Sequence, residues 1–95
     1  MARWSALNWE FHALLYQPAN LPRLMSWVST LHTNVARYML LYLAGMAYQA
    51  ASQQEHRALL AACRQGQSEL ACDLLRQHLQ TAADQLITFL QQQKA

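Results

Sequence analysis

Histidines are the residues in this chain best suited to chemistry, and three of the four fall on apolar helix faces. In "NWEFHALL", His12 shares a face with Asn8 and Leu15, because residues three or four apart stack along a helix. His56 shares a face with Leu59, Leu60 and Cys63, and His78 with Leu74, Leu75 and Ala82. His32 is flanked by Thr30, Thr33 and Asn34 at the margin of its helix's apolar stripe and is expected to be exposed. A buried polar group without a partner costs on the order of 1–3 kcal/mol, so each inward imidazole needs one. A single divalent cation would serve all three. Neutral imidazole is the commonest metal ligand, and bundle interiors are where facing helices build such sites. Spacing alone leaves this open beside a plainer alternative, core histidines each bonded to a carbonyl or a water.

Other chemistry finds less support. Cys63 and Cys72 lie on different helices without a close zinc-finger-type pair, and are expected to be small buried residues. No serine–histidine–acid pattern, glycine-rich phosphate loop or paired carboxylates stand out. Asp73, Asp84 and Glu10 are expected on solvated faces. Three histidines with an open coordination position can activate water, but no general acid or base joins them, so no enzyme is expected.

The elements that must position these residues read as four helices. The first is expected over Ala2 to Tyr16, stopping before Pro18. Asn20 offers an N-cap and Pro22 a first-turn proline for a long second helix to about Ala44, with Gly45 as its stop. Its stripe of Leu24, Val28, Leu31, Val35, Tyr38 and Tyr42 has the three-four spacing of a buried face. "SQQE", Ser52 to Glu55, has the form of a capping box opening the third helix. Gly66 is a left-handed C-cap for it, and Ser68 starts the fourth, which carries Leu70, Leu74, Leu75, Leu79, Leu86 and Leu90 and frays in "QQQKA". The expected fold is all-α, an antiparallel helical bundle with short connections.

Composition agrees. The 95 residues are 54% hydrophobic and 13% charged, with two glycines and two prolines, which favours long helices in one small domain. A net charge of +2, spread over scattered arginines, gives no basic stripe for nucleic acid. The longest apolar run, "YMLLYLAGMAY", is too short to span a bilayer, and the N-terminus lacks a signal peptide's apolar region. Two thiols without a disulfide framework fit a reducing cytoplasm. A chain this apolar and short is expected to leave surface for a partner.

The order of motifs is familiar. "NWEFHALLYQPANLPRL" resembles the D/N-x-x-F-H…N-x-x-L segment of the FCD domain, the effector-binding domain of the FadR subfamily of GntR-type bacterial transcription regulators. "EHRALLAACRQGQSELACDLLRQHL" resembles that domain's later E-H…G-D…H-[LI] segment, including the 22-residue step from His56 to His78. The resemblance implies an all-α antiparallel bundle holding a divalent metal (zinc, nickel or manganese) at the floor of a cavity for a small organic acid. Position by position it implies metal ligation by Asn8, His12, His56 and His78. From their position on the long helix, Arg37 and Asn34 are candidates to reach the effector, beside the plainer reading of Arg37 as a solvated arginine.

Two local departures stand out. Position 8 is Asn where metal-binding members often carry Asp, which removes a negative charge that an anionic effector could supply. The glycine turn reads "GQS" where the family usually has G-D, with Ser68 in place of the aspartate. Residues 1–95 would then be a partial FCD-like domain lacking the winged helix-turn-helix and the first helices, so that DNA is reached only through a domain outside this chain. The expected protein is a cytoplasmic homodimer or other homo-oligomer with no membrane partner. A purely structural oligomerisation module, with no occupied metal or ligand site, is the alternative.

Overall fold

The computed structural model describes residues 2–45 and 48–93. Among them are α1 (Ala2–Tyr16), a 3-10 turn (Gln17–Ala19), α2 (Pro22–Gly45), α3 (Tyr48–Arg64) and α4 (Ser68–Gln93), with no strand. The chain is all-α, with the four helices that its apolar, breaker-poor sequence implies. They fall into two compact units, Met1–Gly45 and Met46–Ala95, each an antiparallel helix pair. Among the described residues no helix is long and apolar enough to cross a membrane.

In the first unit, α1 gives way to the 3-10 turn at Pro18, whose ring fixes φ and removes a helix donor. Asn20 then adopts a left-handed backbone (φ 55°, ψ 47°), its N–H donating to the Gln17 carbonyl at 3.0 Å. This corrects the expected N-cap. An N-cap needs a non-helical, typically extended backbone, and Asn20 instead uses asparagine's tolerance of the left-handed region to close the turn. The carbonyl of Leu21 accepts the first helical hydrogen bond, from Met25 at 2.9 Å, and Pro22 occupies the first position of α2 as expected.

The apolar stripe of α2 is not a buried core. Val28 is half-buried, but Leu24, Leu31, Val35 and Tyr38 are exposed, and the side chain of Tyr42 lies outside the described residues. A three-four period shows which side chains share a face; it does not say what covers that face. On α1, Phe11 and Leu15 are half-buried, whereas Leu7 and Leu14 are exposed.

The second unit is better filled. Leu59, Ala62 and Leu86 are buried, together with Ser52, His56 and His78. Leu74, Leu75 and Leu90 are half-buried, and Leu70 and Leu79 are exposed. The third helix begins at Tyr48, so Ser52 is an interior helical residue rather than the expected cap. Gly66, at φ +69°, ends α3 as expected: its N–H donates to Cys63 at 3.1 Å, and that of Gln67 to Ala62 at 3.0 Å. These two bonds form a Schellman motif, which satisfies the last carbonyls of the helix. Ser68 is the first residue of α4, while the Gln67 carbonyl receives the first bond, from Ala71 at 2.9 Å. Lys94 and Ala95 of the C-terminal "QQQKA" lie outside the described residues. Cys63 and Cys72 are both exposed, which corrects their expected burial. Ala62, not Cys63, takes the inward position at the end of α3.

Candidate metal centre

The second unit brings His56 and His78 together. Three residues separate α3 from α4, so the helices run back along each other and place His56 opposite His78. Their Nε2 atoms lie 3.2 Å apart, with ring centroids at 4.7 Å and planes inclined by 62°. On its other side, His78 Nδ1 meets Glu55 Oε1 at 2.7 Å. An ionised carboxylate only accepts, so His78 carries its proton on Nδ1. In the neutral ring, Nε2 then presents a lone pair toward His56.

Burial is the main force on the His56 imidazole. It lowers the pKa to about 4, assisted by His78 and opposed by Glu55. His56 is therefore neutral at neutral pH, the state in which imidazole ligates metals. With His78 protonated on Nδ1, this 3.2 Å contact is a hydrogen bond donated by His56 Nε2 in the metal-free chain, and it is close to the roughly 3.4 Å between two nitrogens bound at about 2.1 Å to one zinc. One turn before His56, the Ser52 hydroxyl is buried with no hydrogen-bond partner among the described residues.

The first unit carries the other candidate ligands. Asn8 and His12 lie one turn apart on α1. Asn8 is half-buried, and its Oδ1 is shielded from solvent with no hydrogen-bond partner among the described residues. His12 is only 5% exposed. Its ring stands edge-on to Phe11 at 5.3 Å and lies 6.0 Å from that of Tyr16, whose hydroxyl pKa is raised by burial. In each unit, then, buried imidazole nitrogens are donors of the type a divalent cation takes, and the first unit adds an amide oxygen with no hydrogen-bond partner among the described residues.

His32 is half-buried rather than exposed as expected. Its ring packs on Trp9 of α1 at 5.0 Å and hydrogen-bonds the Ser5 backbone. Burial lowers its pKa, with that hydrogen bond acting in the opposite direction. A margin position on α2 thus turns toward α1. Asn34 and Arg37 are exposed, and the Arg37 guanidinium lies 5.6 Å from the centroid of the Tyr38 ring.

Glu55 is the residue that sequence reasoning assigned to another task. Its place in "SQQE" pointed to a helix cap, but α3 starts a full turn earlier, leaving its carboxylate to meet His78. The available signal was its position 23 residues before His78, one more than His56.

Residues 1–81 match the family model of the FCD domain, and the chain belongs to that family. No curated protein and no solved structure is similar enough to match. An FCD domain implies the effector-sensing part of a GntR-type transcription regulator.

Proposed function

We propose that this chain is the effector-sensing and dimerisation portion of a GntR-type regulator of the FadR subfamily, with a divalent metal held by Asn8, His12, His56 and His78. Zinc, nickel and manganese all suit such a set. When bound, the metal supplies positive charge at the floor of a cavity for the carboxylate of a small organic acid. The chain's own residues hold neutral imidazoles in place, exclude water, and leave the acid's charge to compensate for the amide at position 8. Arg37, with Asn34, is assigned to the effector, and DNA contact to a winged-helix domain rather than to these helices. The setting is cytoplasmic. Effector binding changes the spacing of paired DNA-binding domains only through a difference in its affinity for the two arrangements.

The observation that carries this proposal is the buried His56–His78 pair, its nitrogens facing at 3.2 Å in a chain of the FCD family. Metal analysis after chelator-free purification tests it, with His12→Ala, His56→Ala and His78→Ala as controls. About one metal per chain is expected in the wild type and little in the variants. Equal content in wild type and His56→Ala would sink the proposal. The exposed apolar face of α1 and α2 favours a second reading, a structural oligomerisation module without a metal. Oligomeric state and melting temperature unchanged by chelator would favour that module.

A further inference from the structure

We infer that Glu55 is a positioning residue for this metal centre: by accepting a hydrogen bond from His78 Nδ1, it fixes the ring and its tautomer so that the Nε2 lone pair faces His56. The inference rests on the metal reading above and extends it to a residue outside the ligand set. The geometry is specific. The carboxylate lies 2.7 Å from Nδ1, while the opposite nitrogen of the same ring lies 3.2 Å from His56 Nε2. Glu55 and His56 are neighbours on α3, so one helix supplies both a candidate ligand and the group that orients its counterpart on α4. His78 has little freedom to turn, since it is 6% exposed and held from both ends.

A carboxylate on the outer nitrogen of a ligating histidine does two things. It selects the tautomer whose inner nitrogen is unprotonated, and it makes that nitrogen a stronger donor. In this chain it has a third consequence. With Asn at position 8, the four proposed ligands are all neutral, and Glu55 places one negative charge behind His78. The charge missing from the inner shell is thus partly restored by a residue that need not touch the ion.

The test compares wild type, Glu55→Gln, Glu55→Ala and His56→Ala. Zinc affinity is measured by competition with a chromophoric chelator at one fixed pH. Imidazole nitrogen NMR of the metal-free chains reports the His78 tautomer, which a merely structural role for Glu55 would not move. Glu55→Ala is expected to weaken zinc binding by about 10–100-fold and to release His78 from its Nδ1–H form. Glu55→Gln, whose amide oxygen still accepts from Nδ1 but carries no charge, is expected to keep the tautomer and fall between the two in affinity. Zinc bound equally tightly by wild type and Glu55→Ala, or an unchanged tautomer in Glu55→Ala, overturns the role of Glu55 alone. A wild type that binds no zinc, or no more than His56→Ala does, overturns the metal reading and this inference with it.

Discussion

The second helix pair buries Leu59, Ala62 and Leu86 alongside Ser52, His56 and His78, whereas in the first His12 is the one fully buried residue among those described. Both pairs are built from long helices joined by a left-handed residue, Asn20 in one and Gly66 in the other. They differ in where their apolar surface goes. The α3–α4 pair directs leucines inward around a polar contact that is already complete, from Glu55 through His78 to His56. The α1–α2 pair turns Leu24, Trp27, Leu31 and Val35 outward, with Trp27 67% exposed. It also keeps inside an amide oxygen with no donor among the described residues. One pair organises its chemistry within itself. The other leaves apolar side chains of one helix exposed, the kind of surface on which the oligomerisation reading rests.

The largest expected effect separates the two pairs by core deletion. Leu59→Ala is expected to cost about 2–5 kcal/mol in urea unfolding, as buried leucines do, while Leu31→Ala should stay within about 0.5 kcal/mol. A comparable cost at Leu31 would mean that its face is covered in solution, and the contrast would fail.

Acid comes next, on the metal-free chain. Unfolded His56 takes up its proton near pH 6.5, but in the fold burial delays this to about pH 4. Between those values the unfolded state holds more protons, so stability falls as pH drops through the window and levels off below it. The expected loss is about 3 kcal/mol, read from urea midpoints at a series of pH values. His56→Gln should remove most of that slope; a slope that survives the substitution assigns it to other groups.

Gly66→Ala probes the turn of the better-buried pair. A methyl group there would meet nothing within 4 Å, so the penalty is one of backbone conformation alone, about 1–2 kcal/mol at φ +69°. Calorimetry should show a lowered melting temperature with the helical content retained. The smallest change targets the incomplete pair. Asn8→Asp is expected to tighten zinc binding by about tenfold, roughly 1.4 kcal/mol, by converting the amide into a carboxylate. Unchanged affinity would separate position 8 from the proposed ligands.

What the sequence made legible follows from the kind of signal each residue carries. Pro18 and Gly66 act through their own backbones, so the end of α1 and the turn before α4 could be read directly. The inward setting of His12, His56 and His78 followed from helical period, because the apolar neighbours three and four residues away define the face. Ser52 misled because its hydroxyl fits a cap only where the preceding turn is not helical, and Tyr48 to Ala51 contain no breaker to interrupt α3. Asn20 serves equally well as an N-cap or a left-handed stop, and side-chain chemistry does not choose between them. Cys63 and Cys72 are small enough for a core, but neither faces inward. The contact from Glu55 to His78 joins two helices, and no local pattern encodes it.

In an antiparallel pair, the point where the first helix stops fixes which residues of the two helices stand opposite each other. With the left-handed stop at Gly66, His56 pairs with His78. Were α3 to run one residue further before reversing, the partner of His56 would move by two positions, and Gln80 would stand where His78 does. The length of that turn is therefore part of the candidate site's specification, although none of its atoms would touch a ligand.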